Sequence, residues 1–344
     1  MVAPEPRRSL MARTRLLDAR FGDGLFYWAT LLFASSILIL VLWLGAQLFL
    51  AAAPAVSKFG LGFLTSSVWK SADDAVAPDT YGAWPYIYGT LMSSFLALLL
   101  AVPIGVGTAI FLAEIAPKWI RMPLSFMVEL LAAVPSVVYG LWGRLVLIPA
   151  IIPLQAILSE YAFKGKEFNF LWSFPMKTGF DIPLLEGAPI GQSMMAGGLI
   201  LAIMILPFIT AVSREVIKAV PPTQREAAFG LGATHWEAIS GPILRTARSG
   251  IIGAIILGLA RALGETMAIT MVIGNGNDAN ISLLAPANTL SSKLALEFAE
   301  ASGGQQSALM YLALTLFSIT IVVNAIARGL IWNMARGIKG STRG

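Results

Sequence analysis

Arg261 and Glu265 are two ionisable residues that interrupt an apolar stretch of the chain, roughly residues 250–274. They are four positions apart, so on one continuous helix they would share a face. A planar guanidinium that stays charged can bind a tetrahedral oxyanion through two hydrogen bonds, and a nearby carboxylate could hold or release that anion. Alternatively, the two side chains form a structural ion pair. The choice between these roles depends on the elements that surround them.

Few other residues could carry chemistry. His235 is the single histidine, which excludes a multi-histidine metal site, and the absence of cysteine excludes a thiol nucleophile and a zinc–thiolate site. The only Gly-Lys pair, Gly165-Lys166, is followed by Glu167 and is not part of a phosphate-binding G-x-x-x-x-G-K-[ST] loop. We therefore expect no catalytic residue, no metal site and no nucleotide site in this chain.

The segments around Arg261 and Glu265 are far more apolar than a soluble protein allows. Of the 344 residues, 57% are hydrophobic and 12% are charged, whereas about 25% of an average soluble domain is charged. A helix of ~20 residues crosses a hydrocarbon core of ~30 Å. The stretches without any charge are residues 24–57, 80–113, 187–213 and 301–327. Two further apolar segments, roughly 124–153 and 250–274, bring the predicted number of transmembrane helices to six.

This composition excludes a large soluble enzyme, a disordered chain and a nucleic-acid-binding protein, although the net charge is +5. Of the 24 Lys and Arg residues, 16 lie in the segments 1–26, 114–123, 214–249 and 328–344. The positive-inside rule then predicts an all-α membrane protein with six transmembrane helices and both termini in the cytoplasm.

Charges within the predicted spans are expensive, because an ionised side chain at the bilayer centre costs about 2.5–3.5 kcal/mol on insertion scales. Arg261 and Glu265 should therefore face the interior of the bundle or a wet pathway. Glu129 and Arg144 are expected to extend their polar ends to the membrane surface, and Glu129 could instead approach the cytoplasmic loop.

The same pattern gives the predicted organisation of the chain. The expected segments are a basic cytoplasmic arm (1–26), a first transmembrane helix (27–53), an outer loop (54–85), a core of five transmembrane helices (86–332) and a cytoplasmic tail (333–344). Within the core we expect an outer loop over 154–193 and a cytoplasmic loop over 214–249. The outer loop is rich in aromatic residues and is either a folded cap over the helix ends or a docking surface for an extracytoplasmic partner.

Small residues recur at four-residue spacing on two of the predicted spans. These residues are Ala101 and Gly105 on one span and Gly250, Ala254 and Gly258 on another. Such faces let helices approach closely in lipid, so they predict a packed bundle.

The cytoplasmic loop is predicted to contain two short helices. Each begins at a capping box, formed by the pairs Thr223–Glu226 and Thr234–Glu237. Each ends at glycine, with Gly230 and Gly232 after the first helix and Gly241-Pro242 after the second. From these signals alone, the loop is either an amphipathic connector at the membrane surface or a contact surface for a partner.

This loop resembles the EAA loop of ABC-importer permeases through Glu226-Ala227-Ala228 and the later Gly232. In that family the loop fits a groove on a cytoplasmic ATPase and transmits its motion to the spans. The resemblance therefore implies ATPase-coupling roles for these four residues and for His235 beside them. The family pattern ends in Ile-x-Leu-Pro, whereas this chain has Pro242-Ile243-Leu244-Arg245, in which only the leucine matches.

Two further stretches are similar to the PstC-type permease subunits of phosphate ABC importers. They run from Glu129 to Gly143 and from Leu259 to Ala268, and with Glu297–Glu300 the resemblance covers roughly residues 85–332. It implies the type I ABC importer permease fold and one half of a pathway for inorganic phosphate. Arg261 and Glu265 stand where that family has an arginine and a glutamate implicated in transport.

The resemblance also implies partners and a location. The partners are a sister permease subunit (PstA-type), two ATPase subunits (PstB-type) that bind ATP and Mg²⁺, and an extracytoplasmic phosphate-binding protein (PstS-type). The chain itself needs no cofactor and would be a multi-pass protein of the bacterial inner membrane.

Three alternatives stay open on the residues alone. A permease for another oxyanion fits equally well, because one arginine and one glutamate do not choose among oxyanions. An ion-coupled secondary transporter is disfavoured by having only two intramembrane acids and no apparent inverted repeat. A membrane-embedded hydrolase would need a nucleophile–base pair or a metal cluster within the spans.

Overall fold

The computed structural model describes the backbone of residues 8–70, 80–163, 183–185 and 187–340, and the side chains of 23–70, 80–159, 184–185 and 187–332. This part of the chain contains thirteen α-helices and no β-strand. The helices are α1 (Arg8–Phe59), α2 (Gly62–Thr65), α3 (Trp84–Ile110), α4 (Lys118–Ala133), α5 (Ser136–Trp142), α6 (Ile148–Phe163), α7 (Met194–Lys218), α8 (Pro222–Gly230), α9 (His235–Ala238), α10 (Leu244–Leu263), α11 (Met267–Thr270), α12 (Leu290–Glu297) and α13 (Gly303–Gly340). Single turns of π-helix follow α3, α5 and α9 at Phe111–Ile115, Gly143–Leu147 and Ile239–Ile243.

Six helical segments in the described part are long and apolar enough to cross a membrane, which confirms the predicted number. They are Asp23–Phe59, Trp84–Ile115, Ser136–Ser159, Met194–Lys218, His235–Leu263 and Gly303–Trp332. The predicted outer loop 154–193 is wrong at its start, because α6 continues to Phe163. Residues 164–182 and 186 of this loop lie outside the described part, so its two interpretations stay predictions.

The chain divides into two compact units, residues 1–51 and residues 52–344. In the first unit the described residues belong to α1, and apolar side chains such as Leu38, Leu42 and Phe49 are exposed along it. An exposed apolar surface of this length is typical of a helix that lipid surrounds.

The core of the second unit is built around α7, where Ile200, Leu201, Ile205 and Ile209 are fully buried. Helices α3 and α10 both pack against α7. A Cβ atom on Gly258 of α10 would lie 2.9 Å from the Ile209 side chain. On Gly105 of α3 the distance would be 3.3 Å, and on Gly250 it would be 2.4 Å from Val216. The predicted role of the small residues in close helix packing is therefore confirmed.

The third predicted span was wrong in its boundaries, because the chain breaks at Pro135. Helix α4 ends at Ala133, Val134 is extended with ψ 131°, and α5 begins at Ser136. Proline lacks an N–H and disfavours helical geometry at the residue before it, which explains the break. Glu129 and Arg144, predicted on one span, consequently lie on different helical segments.

The fifth predicted span was wrong at its end. Helix α10 stops at Leu263, and Gly264 follows with φ −91° and ψ −2° before the short helix α11. Arg261 thus lies in the last turn of α10, whereas Glu265 lies in the turn after it. The expectation that the two residues share a face of one continuous helix is therefore wrong.

Candidate functional site

Arg261 lies in the last turn of the membrane-spanning helix α10. Its side chain is exposed, and among the described residues it forms neither a hydrogen bond nor an ion pair. The predicted alternative, a structural ion pair with Glu265, is therefore wrong for this structure. A guanidinium that none of these residues neutralises is available to an anionic ligand.

Glu265 is instead engaged with the turn that follows α10. Its Oε1 atom accepts a hydrogen bond of 3.1 Å from the backbone N–H of Ala268, in the first turn of α11. Its backbone carbonyl accepts a bond of 2.7 Å from Ser291 Oγ, at the start of α12. A carboxylate beside the N–H groups of a helical turn stabilises that turn. Glu265 therefore helps to set the conformation of the segment next to Arg261.

The first turn of α12 supplies buried polar groups that sequence reasoning missed. Ser292 Oγ donates to Asn275 Oδ1 at 3.0 Å, and Asn275, which has φ 55°, donates through its amide to the Thr270 carbonyl at 3.0 Å. Together with Ser291, these bonds tie α12 to both sides of α11. The only signal in the sequence was a polar triplet, Ser291-Ser292-Lys293, between Leu290 and Leu294.

Lys293 is a buried cation held by polar and aromatic groups. It pairs with Glu297, donates to Asn277 Oδ1 at 3.0 Å, and lies 4.8 Å from the ring centre of Trp69 and 5.2 Å from that of Tyr86. Burial lowers the pKa of Lys293, and the hydrogen bond and charge of Glu297 oppose that shift. The aromatic faces and the carboxylate compensate for the desolvated ammonium group and fix α12 in place.

The cytoplasmic loop confirms one predicted capping box and contradicts the other. Thr234 and Glu237 form both reciprocal bonds, at 3.3 Å and 2.8 Å. Helix α8, however, begins at Pro222 with Pro221 as its cap, so Thr223 is already inside the helix and does not cap it. The fixed φ of proline and its missing N–H suit the first helical position, which explains the earlier start.

Of the two glycine helix stops predicted in this loop, the structure confirms the first and contradicts the second. The first helix ends at Gly230, and Gly232 has φ +83°, as predicted for a glycine stop. Gly241-Pro242 does not end the second helix, because the π turn Ile239–Ile243 leads directly into α10. A proline ring would clash in a regular α-helical turn, and the wider turn accommodates it.

The tip of this loop exposes apolar side chains. The exposed fractions of Phe229, Leu231 and Trp236 are 44%, 90% and 72%. His235 is also exposed, and its ring contacts that of Phe229 edge-on at a centroid distance of 5.1 Å. Among the predicted coupling residues, Glu226, Ala227 and Gly232 are exposed and Ala228 is partly buried. A cluster of exposed apolar residues on a structured loop is typical of a protein-interaction surface.

Arg225 connects this loop to the ends of two spanning helices. Its Nη2 and Nε atoms donate to the Glu114 carboxylate at 2.7 and 3.2 Å. Further bonds reach the carbonyls of Val220 and Ile217, at 2.6 and 2.9 Å. Sequence reasoning missed this pair, because 111 positions separate the two residues.

Comparisons with known proteins agree with this architecture. Residues 101–339 match the family described as binding-protein-dependent transport system inner membrane component. The chain is 42% identical over 331 residues to the phosphate transport system permease protein PstC of Pasteurella multocida, covering 96% of this chain and 98% of that protein. It is 41% identical over 312 residues to the PstC protein of Haemophilus influenzae, covering 91% and 94%.

A solved structure supports the fold alone. It is described as a bacterial ABC transporter involved in the import of the acidic polysaccharide alginate, and its matching chain is 17% identical to this one. The TM-score is 0.55, and the alignment covers 93% of this chain and 99% of that chain. The fold is therefore that of an ABC importer permease.

Proposed function

The chain belongs to the family of binding-protein-dependent transport system inner membrane components, and we propose that it is a permease subunit of an ATP-driven importer of inorganic phosphate. The observation that carries this proposal is the 42% and 41% identity to two phosphate transport permeases along almost the whole chain. The subunit forms one half of the translocation pathway, and a sister permease of the PstA type forms the other half.

Arg261 is the residue to which we assign the phosphate anion in the pathway. Its support is the exposed guanidinium in the last turn of α10, which has no partner among the described residues. Two parallel N–H groups match two oxygens of a phosphate group. Glu265 holds the turn beside Arg261, and its negative charge opposes tight retention of the anion, which favours release.

The exposed loop tip is the surface to which we assign the ATPase. In this proposal two PstB-type subunits bind ATP and Mg²⁺, and Glu226, Ala227, Ala228, Gly232 and His235 contact them. A PstS-type binding protein delivers phosphate from outside, and the chain resides in the bacterial inner membrane with both termini in the cytoplasm. The exposed Phe229, Leu231 and Trp236 support the docking assignment, because a partner groove would bury them.

Uptake by membrane vesicles that contain the complete complex tests this function. We expect radiolabelled phosphate to accumulate inside the vesicles only when ATP is present on the side of the membrane that the ATPase faces. A tenfold excess of sulfate should reduce this uptake only weakly. An ATPase subunit should also co-purify with the chain. Uptake driven by an ion gradient without ATP would instead indicate a secondary transporter, and full competition by sulfate would indicate another oxyanion.

Replacing Gly232 tests the coupling assignment. Gly232 has φ +83°, and a Cβ atom there would meet nothing within 4 Å in this chain. Gly232→Trp combines the strain of a bulky residue at positive φ with a large side chain at the ATPase surface, so we expect phosphate uptake per ATP hydrolysed to fall several-fold. Gly232→Asn is the matched control, because asparagine tolerates this backbone conformation and should retain most coupling. Normal uptake by Gly232→Trp would identify the loop as a passive connector.

A further inference from the structure

A cavity of about 450 Å³ lies between the start of α4 and the end of α7. Its lining consists of Lys118, Arg121, Met122, Ser125, Phe126, Glu129, Arg214 and Lys218. Four cationic side chains and one carboxylate give this lining a net charge of +3. Both helix ends belong to segments that the Lys and Arg distribution assigns to the cytoplasmic side. Arg261 is not among the lining residues.

The carboxylates at this cavity neutralise only the cations on α7. Arg214 Nη2 lies 2.8 Å from Glu129 Oε1 and 2.7 Å from Glu215 Oε1, and Lys218 Nζ lies 3.4 Å from Glu215 Oε1. Lys118 and Arg121, on α4, have no carboxylate within ion-pair distance among the described residues. The positive charge that remains is therefore concentrated at the start of α4.

Two hydrogen-bond donors at the same place are buried without a partner. Of the four such side-chain atoms in the described part of the chain, Arg121 Nε and Ser125 Oγ belong to residues that line this cavity. The Arg121 Nη2 atom is already bonded to the Ala116 carbonyl at 3.0 Å, which fixes the orientation of the guanidinium. Unpaired buried donors are costly, so a site with these donors and excess positive charge is complementary to an anion rich in acceptor oxygens.

An apolar stripe on α4 runs beside the cations. Trp119, Met122, Phe126 and Leu130 are exposed at spacings of three and four residues, so they lie on one face of the helix. Tryptophan is typical of the membrane–water interface, and basic pockets between helices on the cytoplasmic side bind anionic headgroups. The acyl chains of a phospholipid could follow this stripe while its phosphate reaches the cations.

We propose that the cavity between α4 and α7 binds a phosphate group, with Lys118, Arg121 and Ser125 as its donors. The apolar stripe favours an anionic phospholipid as the source of that group, and free inorganic phosphate is the other source with the same chemistry. The site is separate from the pathway position assigned above, because Arg261 does not line it.

Binding measurements on the purified complete complex in a maltoside detergent distinguish the two sources. One arm measures phosphatidylglycerol binding by native mass spectrometry, with phosphatidylcholine for comparison, and the other measures radiolabelled inorganic phosphate by equilibrium dialysis. We expect Lys118→Gln/Arg121→Gln to weaken binding about tenfold or more in one arm, because two charged contacts are lost. Loss in the first arm identifies a lipid headgroup, and loss in the second identifies free phosphate.

Three further variants make the result specific. Arg248→Gln removes an exposed arginine of α10 and should leave binding unchanged. Ser125→Ala removes one unpartnered donor with little change in volume, so it tests the site even if the double variant fails to assemble, and we expect about threefold weaker binding. Arg261→Gln should lower uptake by about a hundredfold or more and leave phosphatidylglycerol binding unchanged, which separates the two proposals. Unchanged binding of both probes to the double variant, or equal losses in Arg248→Gln, would overturn the assignment.

Discussion

Replacing Arg261 by glutamine is expected to reduce phosphate uptake by about a hundredfold or more, because two charge-assisted hydrogen bonds of about 1.5–3 kcal/mol each are lost. The fold should tolerate this change well. Arg261 is exposed and has no hydrogen bond or ion pair with any described residue, so no buried group loses its partner. The loss should therefore affect transport and not assembly.

Arg261→Lys separates the effect of charge from that of geometry at this position, and Arg144→Gln on another span is the matched control. Arg261→Lys keeps the positive charge but not the planar fork, so we expect uptake between that of the wild type and that of Arg261→Gln. Arg144→Gln removes an exposed arginine from a different span. Its one hydrogen bond to a described residue goes to the Met271 carbonyl at 3.5 Å, so uptake should stay near normal. The measurements are the initial rate of radiolabelled phosphate uptake and co-purification of the ATPase. Normal uptake by Arg261→Gln would exclude Arg261 from the pathway.

The features of this fold that depend on nearby residues could be predicted from the sequence. Length and hydropathy alone give the six spans, because a long apolar helix satisfies its backbone hydrogen bonds within itself inside lipid. The capping box at Thr234 and Glu237 could be predicted because its two residues are three positions apart. The small residues of α3 and α10 indicated close packing for the same reason, since four-residue spacing places them on one helix face.

Span boundaries could not be predicted from hydropathy, because apolar residues continue through both breaks. Pro135 ends a helix in the middle of one apolar run, and Gly264 ends another. The break at Gly264 determines how the two charged residues of the candidate site are placed. It places Arg261 on a helix and Glu265 on a turn, so the two charges do not pair.

The polar contacts between distant parts of the chain depend on tertiary structure. Glu114 and Arg225 are 111 positions apart, and Glu129 and Arg214 are 85 apart. No local pattern connects such residues. The Lys293–Glu297 pair has helical spacing and could have been suspected, but its aromatic surroundings come from Trp69 and Tyr86, which lie far away in the chain.

Arg225→Gln is expected to separate ATP hydrolysis from phosphate uptake, lowering the uptake per ATP by about tenfold or more. Arg225 joins α8 to Glu114 after α3 and to the carbonyls of Ile217 and Val220 at the end of α7. The side chains of Arg225 and Glu114 are 23% and 12% exposed. Breaking such a pair leaves a mostly buried carboxylate uncompensated at a cost of about 3 kcal/mol, equivalent to a factor of about a hundred in an equilibrium constant.

The lost ion pair weakens the contact between the cytoplasmic loop and the spans, and leaves the packing of the spans unchanged. The reason is that Arg225 belongs to the loop and its partners belong to the helix ends. Motion of an ATPase docked on α8 would then move the loop without moving α3 and α7. Arg225→Lys should be nearly as harmful as Arg225→Gln, since one ammonium group cannot reach a carboxylate and two carbonyls in the geometry of a guanidinium.

A double-mutant cycle measures whether the two residues act as a pair. Glu114→Gln/Arg225→Gln leaves no buried charge unpaired, so it should couple better than either single variant. Arg245→Gln, which removes an exposed arginine at the start of α10, is the matched control and should couple normally. The readouts are ATP hydrolysis and phosphate uptake by the same vesicles. If the effects of the single variants simply added in the double variant, Arg225 would act on the loop without Glu114, and α3 would have no direct part in coupling.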